Sequence, residues 1–341
     1  MTGGGGFVGR HLVRLLREQG EEVRVLDLAG ADGLPDDVEI VTGSILDSGK
    51  LRQAMAGMDR LYHLAANPNL WAQDPAVFMA TNYRGTVAVL EAAAEAKLER
   101  IVYTSTESIL KSFRRPTPAT VDETVSWTVD DMPGPYCRSK FLAEQAAMQA
   151  AQNGLPVVIV NPTLPIGAGD VHLTPPSRML LDFINGKAPA YFDCELNLVD
   201  VRDVARGHIL AADKGRIGER YILGGRNIRM KDLLSLLGKL AGRPMPDRSV
   251  PYWLAWCTAA ISELISNVTK RPPVAPLAGV RLARTPMRFD STKAIRELGM
   301  PQTPLEASLR QALDWFAERR LIRPWPPPVG INHLIRFDNL P

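Results

Sequence analysis

The chain has 341 residues, enough for one large domain or two modest ones, and 45% of them are hydrophobic and 23% charged. That balance excludes a disordered chain, a collagen-like fibre and a disulfide scaffold. Lys+Arg 40 against Asp+Glu 37 leaves a formal net charge of +3, spread without long runs of one sign, so composition offers no case for nucleic acid as a partner.

The first element is a glycine-rich turn from Gly3, followed by a helix over Val8–Gln19 that carries Leu12, Val13, Leu15 and Leu16 and ends at Gly20. Strands are predicted at Glu22–Leu28, Val38–Gly43, Asp59–Ala65, Arg100–Thr106 and Pro156–Pro162, with helices at Tyr83–Ala96 and Tyr136–Gln152. Near-continuous apolar strands separated by helices mean a parallel sheet covered on both faces, a doubly wound α/β fold. Such a fold runs a strand of ~5–6 residues before its glycine turn. Only Met1 and Thr2 precede Gly3, so that strand is expected to lie upstream or to have been trimmed.

Beyond residue 163 the pattern loosens. A strand is predicted at Leu196–Val201, a helix at Val204–Ala212, a strand at Arg220–Leu223, a helix at Met230–Ala241 and a last helix at Pro304–Arg319. Between them, apolar residues at 253, 256, 257, 260, 261, 264, 265 and 268 form a helical stripe. It reads either as a helix packed on its own domain or, with Trp253, Trp256 and the nearby Lys270-Arg271, as a peripheral membrane contact across 252–268. The proline-rich segment PWPPPVG at 324–330 marks an extended tail over 321–341.

Cys137, Cys194 and Cys257 are scattered and form no CxxC pair, which fits a reducing compartment and argues against structural zinc. His11, His172, His208 and His333 show no metal-ligand spacing, so no metal is expected. The chain opens without a signal-peptide pattern and has no run of 18 apolar residues, so a cytoplasmic location is expected.

Glycines 3, 6 and 9 lie where a nucleotide-binding turn needs them. Gly3 allows the tight turn, Gly6 lets the backbone approach a pyrophosphate, and Gly9 lets the helix pack on the sheet. Phe7 and Val8 lie where the turn meets the helix starting near Val8, whose N-terminal N–H groups face the phosphates. Asp27 ends the next strand 18 residues after Gly9. Its carboxylate suits an adenosine ribose and repels a 2′-phosphate, which favours NAD over NADP. Ser44 and Ile45 are placed to flank the adenine. Leu64, Ala65 and Ala66 make a slim strand end on which a cofactor can lie. His63 reads as a packed strand residue.

Tyr136 and Lys140 stand one helical turn apart. Tyrosine is a poor base at neutral pH, and a nearby Lys⁺ and the positive nicotinamide ring would both favour its phenolate. Thr106 ends a strand 30 residues earlier, where its hydroxyl can hold a substrate oxygen beside Tyr136. Thr104 and Ser105 precede it and are expected to border the cofactor. Thr106, Tyr136 and Lys140 are the candidate catalytic set. Cys137 reads as a bystander, and Arg178, Arg202, Arg281 and Arg284 as surface arginines.

These motifs together resemble the extended short-chain dehydrogenase/reductase family, also called the NAD-dependent epimerase/dehydratase family. TGxxGxxG, HLAA at 63–66, TST at 104–106, YxxxK at 136–140, NP at 161–162 and LVDVRDVARGHILA at 198–211 fall in family order from Thr2 to about Phe316. The resemblance implies catalysis by Thr106, Tyr136 and Lys140. It places Asn161 and Pro162 against substrate and nicotinamide, makes Asp203 an anchor for the second half, and makes a homodimer an expectation. It divides the chain into a dinucleotide-binding domain over 1–162, with 196–213 returning to it, and a substrate cap over 163–195 and 214–320.

NLWAQDP at 69–75, DDMPGPYCRSKFLAEQ at 130–145, LPVVIVNPTLPIGAGD at 155–170, INGKAPAY at 184–191 and RIGERYILGG at 216–225 are most similar to hopanoid-associated sugar epimerases. This implies an epimerase or oxidoreductase acting on a secondary alcohol of a sugar-like substrate. The alternatives are a reductase of a polycyclic alcohol or ketone, like hydroxysteroid and dihydroflavonol enzymes, and a non-catalytic dinucleotide sensor.

Overall fold

The computed structural model describes residues 1–28, 33–273, 276–285 and 288–323. Helix α1 (Phe7–Glu18) leads into strand β1 (Arg24–Asp27), strand β2 (Glu39–Thr42), helix α2 (Ser48–Met55) and strand β3 (Arg60–His63). A short turn α3 (Ala76–Phe78) passes through a wider π-type turn into α4 (Gly85–Glu95), followed by β4 (Arg100–Thr104), α5 (Pro135–Gln152) and β5 (Val157–Pro162). Next come β6 (Leu164–Ile166), α6 (Pro175–Ile184), β7 (Tyr191–Phe192), β8 (Glu195–Asp200), α7 (Val201–Lys214), β9 (Arg220–Leu223) and β10 (Arg226–Arg229). The described residues close with α8 (Met230–Ala241), β11 (Ser249–Val250), α9 (Tyr252–Thr269), α10 (Leu277–Arg284) and α11 (Leu305–Glu318). The expected tail lies, from residue 324 on, outside the described residues.

All pairings in the main sheet are parallel: β1 with β2, and β3, β4, β5 and β9 in that order. Thr2 bridges the two groups, pairing with both Leu26 and His63. Its N–H donates to Tyr62 O, and Leu64 N–H donates to Thr2 O. The strands are apolar on both faces because both are covered. Leu12, Val13, Val204 and Ala205 pack on one side, and Leu51, Val89, Ala93 and Ala147 on the other.

A second core joins α6, α8, α11 and the smaller sheet β10-β8-β6. Two boundaries are corrected here. β9, expected in the cap, completes the main sheet against β5. β8, expected with the main domain, centres the cap's sheet between β6 and β10. The chain crosses between layers after a few residues, and no local periodicity marks the crossings. Asp203 acts as the expected anchor: its carboxylate accepts from Thr303 N (2.6 Å) and Thr303 Oγ1 (2.9 Å). Asp200 caps α7, pairs with Arg202 and accepts from Ser308 Oγ (2.8 Å) on α11.

Candidate active site

Two adjoining cavities of about 420 and 410 Å³ run along the C-terminal ends of the main strands. They share Gly3, Gly6, Phe7, Leu64, Ala66 and Pro68, so they form one groove. This is where ligands bind in an open parallel sheet. Gly3 has φ +72, and a Cβ there would lie 2.7 Å from Ala65 N. A Cβ on Gly9 would collide with Gly3 O, whereas one on Gly6 would stay 3.3 Å from it. Gly3 and Gly9 therefore allow the close turn, and Gly6 leaves the backbone open to the groove at the α1 N-terminus. Val8 and Gly9 also border it.

Asp27 is oriented by the loop itself. Its Oδ2 accepts from Gly5 N (2.9 Å) and its Oδ1 from Leu28 N (2.8 Å). Each oxygen keeps lone-pair capacity for a ribose hydroxyl. Ser44 and Ile45 both line the first cavity, but most of the Ile45 side chain is buried in the core. The glycine cradle, the Asp27 carboxylate and the slim Leu64-Ala65-Ala66 wall fit a dinucleotide.

Thr104, Ser105, Thr106, Tyr136 and Lys140 all line the second cavity. Lys140, on α5, donates to Tyr103 Oη (3.0 Å) and Thr104 O (2.7 Å) and lies 4.6 Å from the Tyr103 ring centre. Burial lowers its pKa to about 7, with Glu144 resisting the shift. Tyr136 moves in the direction opposite to that expected. Burial, and then the Glu107 carboxylate, push its phenol well above the ordinary tyrosine range, and a hydrogen bond with Thr106 offsets part of this. Lys140 spends its hydrogen bonds on the β4 side, so the ammonium alone does not bring the phenolate into reach.

Thr104 borders the groove, but its hydroxyl turns away from it. It pairs with His208 Nε2 (2.9 Å) in the core. His208 Nδ1 meets the Val204 carbonyl (2.8 Å) and must donate there, so Nε2 accepts from Thr104. Thr104 serves the site through its carbonyl, which holds Lys140. Asn161 and Pro162 are a correction, since neither lines the groove. Asn161 is buried under it, donating to Thr106 O (3.1 Å) and Glu144 Oε2 (2.7 Å). It positions the Thr106 backbone and contributes no groove wall.

His63 is buried between Thr2 Oγ1 (2.7 Å) and Thr86 Oγ1 (3.0 Å). Thr86 donates its proton to Asn82 O, so it accepts from His63 Nε2 and leaves Nδ1 to accept from Thr2. Burial lowers the His63 pKa to about 3, which keeps the ring neutral. The Cys137 thiol is buried and pushed up to about 12, out of range for nucleophilic work. Arg202 pairs with Asp200, Arg281 stacks on Phe113 and Arg284 on Tyr252. Among the described residues no cluster of three or more His, Cys, Asp or Glu could hold a metal.

Glu107 was missed by sequence reasoning. It is buried, lines the cavity, and accepts from Thr106 Oγ1 (2.8 Å) and Ser108 Oγ (3.0 Å). Glu107 thus positions the Thr106 hydroxyl at the cavity wall. The available signal was a carboxylate adjoining the catalytic threonine. The apolar walls from Leu70, Leu164, Met179, Leu196 and Leu282 come from separate segments and left no local signal.

Residues 1–224 match the model of the NAD dependent epimerase/dehydratase family. The chain is an enzyme of that family. It is 39% identical to a protein of Synechocystis sp. named "Putative dihydroflavonol 4-reductase", over 95% of both chains. It is 33% identical to sterol demethylase protein B of Methylococcus capsulatus, over 94% of this chain and 99% of that one. The crystal structure of gox2253 superposes with a TM-score of 0.82 at 34% identity, covering 94% of this chain and 98% of the other.

Proposed function

We propose that this enzyme moves hydride, with NAD as cofactor, at a secondary alcohol carbon of a bulky apolar substrate of the polycyclic-alcohol class. The carrying observation is the second cavity. Leu70, Leu164, Met179, Leu196 and Leu282 wall it, and its charged lining residues, among those described, are Glu107 and Lys140. Both already hold protein partners, Glu107 with Thr106 and Lys140 with Thr104 O. A nucleotide sugar brings a diphosphate, which asks for Arg or Lys at its binding site. The cavity's described lining offers no guanidinium for it. The likeness to a protein named for sterol demethylation supports the same substrate class.

The chemistry follows from the residues. Tyr136 passes the single hydroxyl proton to or from the substrate oxygen, and Thr106, positioned by Glu107, orients that oxygen. Lys140 pins Thr104 O and the Tyr103 hydroxyl, which keeps β4 in register with α5 at the reacting centre. NAD, held by the glycine cradle and Asp27, would supply the hydride acceptor and a positive charge that favours the phenolate. Asp27 selects NAD because its charge repels a 2′-phosphate.

The test is turnover with NAD⁺ or NADP⁺ on a sterol or hopanoid alcohol and, separately, on sugar nucleotides. Turnover of the polycyclic alcohol with NAD⁺ is expected, and Tyr136→Phe should lower it by about 10²–10⁴-fold. Turnover confined to sugar nucleotides would overturn the substrate assignment, and an NADP⁺ preference would overturn the role of Asp27.

A further inference from the structure

Helix α9 turns its apolar side outward. Trp253 is 65% exposed, Ile261 58%, Leu264 67%, Ile265 56% and Val268 82%, with Leu254 and Trp256 also exposed. Its buried residues include Ala259 and Ser266, which are small. The stripe seen in the sequence is therefore not packed on the cap, although α9 itself is. Glu263 Oε1 accepts from Leu277 N (2.7 Å) at the start of α10, and Arg284 of α10 stacks on Tyr252 at 4.7 Å. An ordinary surface helix buries such residues, and a contiguous exposed apolar face marks an interaction surface.

The charge around this face names the occupant. Lys270 and Arg271 at the end of α9 and Arg284 against Tyr252 stand against Glu263, the one acid of α9, whose carboxylate is engaged with Leu277 N. Lys270 and Arg271 follow the helix directly and are exposed. Two exposed tryptophans, five exposed aliphatic residues and adjoining cations suit the headgroup boundary of an anionic bilayer. A second copy packing on the same face about a two-fold axis would set the cations against their own kind. No described helix is long and apolar enough to cross a membrane, so the contact is one of lying on the surface.

We propose that α9 docks the enzyme on an anionic lipid surface. The neighbouring α10 supplies Gly279, Leu282 and Ala283 to the wall of the substrate cavity, and Lys111 Nζ ties Leu282 O to the loop after β4 (3.2 Å). Docking through α9 thus brings a cavity wall close to the lipid from which an apolar alcohol would enter. This last link rests on the substrate reading above, whereas the docking itself rests on α9.

The experiment is co-sedimentation of the full chain with phosphatidylcholine vesicles, with and without phosphatidylglycerol, alongside sedimentation velocity without lipid. No substrate or turnover is involved, so failure here leaves the catalytic reading standing. Expected is binding to the phosphatidylglycerol vesicles, weakened at least about tenfold by Trp253→Ser/Trp256→Ser and by Lys270→Glu/Arg271→Glu. The charge-reversal pair lies beyond the helix on exposed positions and keeps the test valid should the tryptophan pair fail to fold. Three results overturn the proposal: no binding by the wild type, binding indifferent to every variant that folds, or a lipid-free dimer that the tryptophan variant dissolves.

Discussion

Helices α5 and α9 each span 18 residues, yet they reverse the usual relation between polarity and burial in opposite ways. α5 buries charge: Lys140 and Glu144 are both hidden, each held by hydrogen bonds from the sheet side. α9 exposes apolar side chains and buries small ones. Buried charge is costly unless paired, and exposed apolar area is costly unless it is covered by something else. Both helices break the amphipathic rule, one next to the reacting centre and the other at the surface. Departures from local consistency concentrate where a fold serves function instead of stability.

That contrast sets the size of the expected mutational effects. Lys140→Met removes the ammonium that fixes Thr104 O and the Tyr103 hydroxyl, and turnover is expected to fall by about 10²–10⁴-fold, read by steady-state kinetics. Glu144→Ala strips the carboxylate shared by Asn161 Nδ2 and Arg220 Nη1. Asn161 Nδ2 keeps Thr106 O and Arg220 keeps the Glu123 and Val125 carbonyls, but the part-buried guanidinium loses its counter-charge, and the change is expected to cost about 3–5 kcal/mol in urea unfolding. A loss below ~1 kcal/mol would show that water replaces the carboxylate.

Glu107→Gln sharpens the electrostatic side of the comparison. The Glu107 charge raises the Tyr136 pKa, because a neighbouring anion disfavours phenolate. Its removal lowers that pKa, so the alkaline rise of oxidation rate should move to lower pH. An unmoved pH–rate profile would take Glu107 out of the proton chemistry. The smallest effect belongs to α9: Leu264→Ser is expected to change stability by no more than ~0.5 kcal/mol in the absence of lipid. A larger loss would mean that the outward face is packed in solution.

Much of the fold was legible in the sequence. The parallel sheet, the glycine turn and the Tyr136–Lys140 spacing depend on periodicities and turn chemistry contained within about ten residues. So do β9 and α8, whose observed limits Arg220–Leu223 and Met230–Ala241 coincide with the expected ones. The gathering of Gly3, Asp27, Thr106, Tyr136 and Lys140 along one groove follows from placing those elements in a doubly wound order, since each lies at or near the C-terminal end of its strand or the start of a helix.

What the sequence determined by itself was therefore the element order and the chemistry carried at their ends, because strands, helices and turns are decided by near neighbours. Tertiary structure decided the rest. β9 joined the main sheet and β8 the cap because strand partners were chosen across tens of residues. The Thr104 hydroxyl turned to His208, 104 positions away, and Asn161 went under the site to meet Glu144 and Thr106. The direction faced by α9 was decided the same way. Its stripe is equally periodic whether buried or exposed, and tertiary packing, against α10 and against Phe192, sets which side meets solvent.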